Sequence, residues 1–315
     1  MKRWLVALCL VLACETLHAE DTAWQPAPGH TQIPLWPGRP PDAHPMPGPE
    51  IAKTKADPEA LTGTHTHTFV RNVSMPTMTV YAPSGKNTGA AAIVFPGGGF
   101  EILAIDLEGT EICDWLTSNG ITCVLLKYRV PSAPYVWKCD CRPHNLSTSV
   151  ESLEDAQRAL SLVRSRAAEW HIDPHRIGVI GFSAGGYLVA ETSTRYRHRL
   201  YKAVDAADVA STRPDFAIAV YPGHLATERD TLNPNVPVSR DTPPTLLIQA
   251  EDDTVDGVQQ ALVYYAALKN AGVPVEMHLY AHGGHAFGLR PTAQPISGWP
   301  KLAEAWLRTT GIVAD

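Results

Sequence analysis

The sequence predicts an α/β protein with a mostly parallel central sheet and helices on both faces. Short, almost continuous apolar runs recur along the chain, and segments with apolar residues at helical spacing separate them. Parallel strands are buried on both faces of the sheet and therefore lack polar alternation. Strands that alternate with helices are typical of layered α/β folds, which bind ligands at the carboxyl ends of the strands.

The order of the elements follows from these runs and from the residues that interrupt them. The predicted strands are 90–95, 121–127, 176–182, 216–221, 245–250 and 275–280. The predicted helices are 108–118, 151–170, 184–196, 258–270 and 299–309. Asn119 and Gly120 supply a stop for the first helix. Between His65 and Tyr81 the pattern predicts two short strands in a hairpin-like arrangement.

We expect one catalytic domain at 65–315, preceded by an N-terminal extension at 20–64. A content of 44% hydrophobic and 18% charged residues is sufficient for a large buried core. Region 24–60 is rich in proline and glycine, and proline disfavours helix and central strand because it lacks the amide donor. We expect this region to run extended over the surface. Its candidate anchors are Trp24, Ile33, Leu35 and Trp36.

Residues 1–19 have the pattern of an export signal. Lys2 and Arg3 precede an apolar run, and Ala19 offers a small residue for cleavage. The run is too short to span a bilayer, and no other stretch is a transmembrane candidate. This pattern predicts a secreted or periplasmic protein without a membrane span. In the alternative, Val-Leu-Ala-Cys at 11–14 is a lipobox, and acylation of Cys14 would make the protein an outer-membrane lipoprotein.

Four cysteines remain when cleavage follows Ala19, and an exported protein can pair them in three ways. A short turn joins the helix that carries Cys113 to the strand that carries Cys123, which makes a bond between these two geometrically reasonable. Cys139 would then pair with Cys141. A zinc site at Cys139 and Cys141 is not favoured, because no second Cys or His pair at zinc spacing accompanies them.

The formal net charge is −6, and no block of like charge is present. This balance argues against nucleic acid or an anionic membrane surface as the main partner. Basic residues do cluster at 195–202, and we interpret them as a solvated helix end.

The strongest chemical signal is Gly-Phe-Ser-Ala-Gly at 181–185, between a predicted strand and a predicted helix. The glycines allow a sharp turn that exposes the hydroxyl of Ser183 above the sheet edge, in a strained backbone conformation. The following helix points its amide end at the site, where negative charge develops in acyl transfer. Strand, Gly-x-Ser-x-Gly and helix together predict a nucleophilic serine on an α/β-hydrolase fold.

A second glycine motif, Phe-Pro-Gly-Gly-Gly-Phe at 95–100, directly follows the first strand of the α/β region. Acyl transfer needs preorganised amide donors about 3 Å from the developing oxyanion. Consecutive glycines let backbone amides approach the substrate without obstruction by side chains. We therefore expect the amides of Gly98, Gly99 and Ala184 to form an oxyanion hole.

In this fold the chain order of the catalytic residues is Ser, an acid, then His. His285 follows the last predicted strand and is the candidate base, and His282 is its main competitor. These two histidines could be read as a metal pair, but no third ligand is evident. Asp253 is the candidate acid and Asp252 the alternative, in a loop that follows strand 245–250. No cofactor is needed for this chemistry.

Several motifs resemble those of bacterial feruloyl and acetylxylan esterase-like α/β-hydrolases, which are related to the hormone-sensitive-lipase esterases. They are Pro-Gly-Gly-Gly-Phe at 96–100, Lys-Tyr-Arg-Val-Pro at 127–131, Asp-Pro-His-Arg-Ile at 173–177, Gly-Phe-Ser-Ala-Gly-Gly at 181–186 and Gly-Gly-His-Ala-Phe-Gly-Leu at 283–289. The resemblance covers roughly 75–310. It implies Gly98 and Gly99 as oxyanion donors and favours Asp253, because Thr254 and Val255 follow it where those families have Pro and Val. Pro96 stands where the hormone-sensitive-lipase motif has His, which shifts the resemblance toward the polysaccharide esterases.

These observations predict a serine carboxylesterase that acts on small acyl esters, such as acetyl or feruloyl groups on xylan. Tyr135, Trp137 and Tyr221 are candidates for stacking on sugar rings, with ordinary packing as the alternative. One alternative function is a serine peptidase of the prolyl-oligopeptidase type, although the chain has no room for that family's propeller domain. The other is an inactive binding module on a hydrolase fold.

Overall fold

The computed structural model describes residues 22–57, 65–131 and 150–313. The strands are β1 (Gln32–Pro34), β2 (Ile51–Asp57), β3 (His65–Arg71), β4 (Thr77–Tyr81), β5 (Ala91–Phe95), β6 (Ile102–Leu103), β7 (Thr122–Lys127), β8 (Ile177–Phe182), β9 (Ala217–Val220), β10 (Thr245–Ala250) and β11 (Val275–Tyr280). The α-helices are α1 (Glu111–Ser118), α2 (Val150–Ser165), α3 (Ala184–Arg195), α4 (Gln259–Asn270) and α5 (Trp299–Thr309).

The main sheet has the strand order β1-β4-β7-β5-β8-β9-β10-β11. The strands from β7 to β11 pair in parallel, whereas β4 joins antiparallel to β7 and β1 antiparallel to β4. Every residue of β5, β7, β8, β9 and β10 is buried, as expected for strands covered on both faces. The predicted fold class is confirmed, and each of the six predicted strands lies within one residue of its observed bounds.

Two of the predicted helices are shorter than expected at one end. Residues Asp106–Thr110 form a wide helical turn, so α1 begins at Glu111. At the far end of α2, Arg166 leaves helical geometry with φ −105° and ψ 14°, and a short 3-10 helix follows at Ala167–Trp170. Apolar spacing did not reveal either change, because the periodicity continues through both.

The hairpin expected between His65 and Tyr81 is wrong. Strand β3 pairs with β2 along its whole length and with β6, in a separate three-stranded sheet, whereas β4 belongs to the main sheet. The chain turns between them at Asn72, which has φ 56°. Strand β3 thus has β2 on one side and β6 on the other, and β4 pairs with β1 and β7 instead.

The proline-rich region, expected to run over the surface, contributes β1 to the edge of the main sheet and β2 to the small sheet. Its four predicted anchors are confirmed: Trp24, Leu35 and Trp36 are buried, and Ile33 is half-buried against the core. The Trp36 indole N–H donates to Oδ1 of Asp155 at 2.8 Å.

A disulfide joins Cys113 in α1 to Cys123 in β7, which is the pairing that the sequence made geometrically reasonable. Cys139 and Cys141, the export signal and Cys14 lie outside the described residues. Within the described ranges, no helix combines the length and apolar character needed to cross a membrane. In the basic cluster, Arg197 pairs with Asp241 and Arg199 with Asp208.

Candidate active site

Ser183 lies at the turn from β8 to α3, with φ 53° and ψ −120°. This left-handed conformation is unusual for a residue with a side chain and indicates local strain. The flanking glycines make the turn sterically feasible. A Cβ at Gly181 would lie 2.2 Å from the carbonyl oxygen of Gly185, and a Cβ at Gly185 would lie 2.1 Å from that of Phe95. The chain can therefore place the serine hydroxyl at the carboxyl end of the sheet only with these glycines.

The structure brings Ser183, His285 and Asp253 together. Nε2 of His285 lies 3.0 Å from Oγ of Ser183, and Nδ1 of the same ring lies 2.7 Å from Oδ2 of Asp253. The other carboxylate oxygen of Asp253 accepts the amides of Val255 and Asp256, both at 2.9 Å. These two bonds fix the carboxylate and leave one oxygen for the imidazole.

The pKa of His285 is raised above its ordinary value. Burial alone lowers this pKa, but the hydrogen bond and the charge of Asp253 outweigh it, with the charges of Asp256 and Glu108 adding to the effect. The imidazole is therefore a stronger base than a free histidine, and its charged form is stabilised by three carboxyl groups.

Asp252 and His282, the alternative acid and base, contact each other instead of the serine. Nδ1 of His282 lies 3.2 Å from Oδ2 of Asp252, and both side chains are exposed. Oδ1 of Asp252 accepts the amides of Gly283 and Gly284 at 2.9 and 2.8 Å. Within the described residues, no three side chains of the metal-binding types lie close enough to hold an ion together. A metal site at His282 and His285 therefore has no third ligand among these residues.

The glycine loop after β5 lies beside Ser183. A Cβ at Gly97 would lie 2.9 Å from Cβ of Ser183, and one at Gly98 would lie 2.3 Å from the carbonyl oxygen of Ile102. Gly98 and Gly99 both have positive φ, 130° and 63°. The loop thus needs glycine both for its backbone conformation and for its approach to the serine, as an oxyanion hole at Gly98, Gly99 and Ala184 would require.

Glu108 is a buried residue of the site that the sequence did not reveal. Its Oε2 accepts the amide of Gly97 at 2.7 Å, and its Oε1 accepts the hydroxyl of Tyr221 at 2.9 Å. The hydroxyl of Tyr128 donates to the carbonyl of Pro96 in the same loop. Burial raises the pKa of Glu108, although the hydrogen bond from Tyr221 opposes that shift. These contacts hold the glycine loop at Pro96 and Gly97. Pro96 is the position at which the hormone-sensitive-lipase motif has a histidine.

Asp256 is a second carboxyl group that sequence reasoning missed. Its Oδ2 lies 3.3 Å from Oγ of Ser183 and 3.9 Å from Nε2 of His285. The side chain is buried, and burial raises its pKa to about 6, with the charge of Asp253 adding and that of His285 opposing. The only sequence signal was its place in the same loop as Asp252 and Asp253.

Tyr221 does not offer a surface for stacking on sugars. It is fully buried, and its ring packs 4.9 Å from that of His285 and 4.4 Å from that of Phe287. The packing alternative is therefore correct for Tyr221, whereas Tyr135 and Trp137 lie outside the described residues.

The eight-stranded sheet and the serine turn at the end of β8 are those of an α/β-hydrolase. Residues 145–309, just over half of the chain, match the prolyl oligopeptidase family. The chain belongs to this family.

Similar proteins agree with the resemblance drawn from the motifs. The chain is 30% identical over 230 residues to an acetylxylan esterase of Xylanibacter ruminicola, covering 65% of this chain and 42% of the relative. It thus spans less than half the length of that relative. An acetyl ester-xyloside bifunctional hydrolase from Caldicellulosiruptor lactoaceticus is 31% identical, with a TM-score of 0.68 over 90% of this chain and 97% of that one. MGS-M1, an α/β-hydrolase from a Medee basin deep-sea metagenome library, is 24% identical, with a TM-score of 0.58 over 82% of this chain and 97% of its own, and supports the fold alone.

Proposed function

We propose that this protein is a serine carboxylic-ester hydrolase in which Ser183 is the nucleophile, His285 the base and Asp253 the orienting acid. The observation that carries the proposal is the continuous relay from Asp253 through His285 to Ser183, with contacts of 2.7 and 3.0 Å. A hydroxyl activated by a histidine, which a carboxylate orients in turn, is the arrangement that nucleophilic acyl transfer requires.

In the first step, Oγ of Ser183 attacks the ester carbonyl carbon while its proton passes to Nε2 of His285. The carbonyl electron pair moves onto oxygen, where the amides of Gly98, Gly99 and Ala184 stabilise the negative charge. The bond to the alcohol oxygen then breaks, and the alcohol leaves with the proton from His285. A water molecule repeats the sequence on the acyl-serine, which releases the carboxylic acid and returns the proton to Ser183.

The names of the relatives support a substrate class. One is named an acetylxylan esterase and another an acetyl ester-xyloside hydrolase. We infer that the substrates here are small acyl esters of sugars, with acetyl groups on xylan or a related plant polysaccharide as the first choice and feruloyl groups as the second.

A polymeric substrate fits the expected export of the protein. Cleavage of 1–19 would give a secreted or periplasmic enzyme that starts at Glu20, and acylation of Cys14 would give a lipoprotein. The disulfide between Cys113 and Cys123 supports an oxidising compartment. The intact mass of the exported protein separates the two routes, because only the second adds lipid mass.

The family match favours a second candidate, a serine peptidase, because the same core serves both activities. One panel decides between them: acetyl, butyryl and feruloyl esters with acetylated xylan, beside proline-containing peptides. Wild-type enzyme should hydrolyse the acetyl esters, and Ser183→Ala should lower kcat by about 10⁴-fold or more without loss of fold. Peptide cleavage without ester cleavage would favour the peptidase. Failure of a fluorophosphonate probe to label Ser183 would favour an inactive module.

A further inference from the structure

Asp256 and the glycine loop lie on opposite sides of Ser183. The sheet order β5-β8-β9-β10 places the loop after β5 on one side of the serine turn and the segments after β9 and β10 on the other. Asp256 follows β10, and Gly223 follows β9. A Cβ at Gly223 would lie 2.5 Å from the carboxylate oxygens of Asp256, so the absence of a side chain there leaves room for this carboxyl group.

The proposed catalytic set of Ser183, His285 and Asp253 is complete without Asp256. Nδ1 of His285 is already bonded to Asp253, and Asp256 instead faces Nε2, the nitrogen that exchanges the proton. Its carboxylate bonds to the serine hydroxyl at 3.3 Å. A buried carboxyl group is costly unless something stabilises its charge, so its place beside the reacting atoms calls for a role.

That position faces the alcohol portion of an ester. When the oxyanion lies at the glycine loop, the leaving oxygen must lie near Nε2 of His285, which protonates it. Oδ2 of Asp256 is 3.9 Å from the same nitrogen. A hydroxyl on the carbon adjacent to the one that bears the leaving oxygen would therefore come within reach of this carboxylate.

Building on the proposed esterase function, we propose that Asp256 binds a hydroxyl group on the carbon adjacent to the esterified carbon and thereby selects monoesters of sugars and polyols. A hydroxyl that donates to a carboxylate forms a strong, charge-assisted hydrogen bond. Without substrate, the serine hydroxyl lies within hydrogen-bond distance of both Asp256 and His285. The substrate hydroxyl replaces it and leaves the serine proton to His285. An ester without that hydroxyl leaves the buried carboxylate unpaired, which is the most effective way for a site to reject an analogue.

The test uses two acetate esters of similar size, 2-hydroxyethyl acetate and propyl acetate, in which a hydroxyl or a methyl group is attached to the carbon adjacent to the esterified carbon. The readout is the ratio of their kcat/KM values, which does not depend on the fraction of folded enzyme. We expect wild type to favour the hydroxy ester by about tenfold or more. Asp256→Ala should bring the ratio close to one, and the isosteric Asp256→Asn should lower it in part. Glu251→Gln removes an exposed carboxylate from the same loop and should leave the ratio unchanged.

Equal activity of wild type on both esters would overturn the inference. So would a loss on Asp256→Ala and Asp256→Asn that is the same for both esters, because Asp256 would then act only on the serine and histidine. Hydrolysis of neither ester by wild type would contradict the proposed function itself, and with it this inference.

Discussion

Oε2 of Glu108 lies 2.7 Å from the amide nitrogen of Gly97, directly before the two glycines proposed to bind the oxyanion. The acceptor is buried. Gly97 in turn lies against Ser183, where even a Cβ would come within 2.9 Å of the serine Cβ. Glu108 therefore helps to hold the glycine loop against the nucleophile.

Removal of the Glu108 carboxyl should impair the chemical step more than binding. We expect Glu108→Ala to lower kcat by about 10- to 100-fold with a smaller change in KM, since loss of one oxyanion donor costs about 10²–10³ in kcat and a misplaced donor costs less. Glu108→Gln keeps an acceptor for the Gly97 amide and should restore most of the activity. Steady-state kinetics on 4-nitrophenyl acetate measure both variants. Equal losses in the two would show that the charge matters, and not the hydrogen bond.

Matched substitutions at the adjacent Asp252 and Asp253 can identify the carboxylate that orients His285. Asp253→Asn should lower kcat by about 10²- to 10⁴-fold, because the imidazole loses the partner that sets its tautomer and orientation. Asp252→Asn should cost much less, since Asp252 bonds to the exposed His282 and to two glycine amides. The same ester assay ranks them, and the reverse ranking would assign the acid to Asp252.

The pH profile should report the raised pKa of His285. The imidazole must be neutral to accept the serine proton, so kcat/KM falls as the pH drops through this pKa. We expect the midpoint of that acid limb above 6.5, the ordinary histidine value. Asp256→Asn removes one of the charges that raise the pKa and should move the limb to lower pH. An unchanged limb in Asp256→Asn would show that this carboxyl is uncharged near the midpoint.

The sequence was informative where one local signal determines the structure. Buried parallel strands are continuous apolar runs, and Gly181 is required by sterics within the turn itself, where a Cβ would meet the carbonyl oxygen of Gly185. Strand β2, with Lys53, Thr54 and Lys55 at its centre, has no such signal, because it lies in a small sheet with exposed side chains. Its pairing with β3 is a tertiary choice that propensity does not determine.

The residues of the candidate site could likewise be predicted only where they belong to a sequence motif. Ser183 and His285 lie in motifs, and the loop after β10 narrowed the acid to neighbouring carboxylates. Glu108 and Asp256 belong to no motif, because their roles depend on contacts with Gly97 and Ser183 that the fold alone creates. A carboxylate in a helix-like segment is normally a solvated side chain, and only its burial distinguishes Glu108.

The disulfide between Cys113 and Cys123 should stabilise the fold because it closes a loop in the unfolded chain. Cys113 and Cys123 are separated by 10 residues, and closing a loop of that size stabilises the fold by about 2–3 kcal/mol in the chain-entropy description. Reductant should therefore lower the free energy of unfolding of wild type by about that amount. A Cys113→Ala, Cys123→Ala variant should lose this part of the response, and any remaining response would report the pair expected at Cys139 and Cys141. Chemical denaturation measures both, and an equal effect of reductant on the two proteins would place the sensitive bond elsewhere.

Substitutions at Trp36 can show whether the proline-rich segment is a separable extension or contributes to the stability of the catalytic domain. The residue is 4% exposed, its ring packs against Tyr201 with centroids 4.7 Å apart, and its N–H donates to Asp155, which also pairs with the buried Arg129. Trp36→Ala should cost about 3–5 kcal/mol of unfolding free energy through the cavity and the lost contacts.

Trp36→Phe keeps much of the packing but loses the bond to a charged carboxylate, and it should cost about 1.5–3 kcal/mol. Arg39→Ala, at an exposed position three residues along the same segment, is the control and should change the free energy by no more than about 0.5 kcal/mol. Chemical denaturation followed by tryptophan fluorescence gives all three values. If Trp36→Ala unfolded like the control, the segment at 20–64 would be a separable extension of a domain that begins at 65. A loss of the expected size would instead make this segment part of the catalytic domain's own core, because Asp155 and Arg129 lie beside the strand and helix that carry the site.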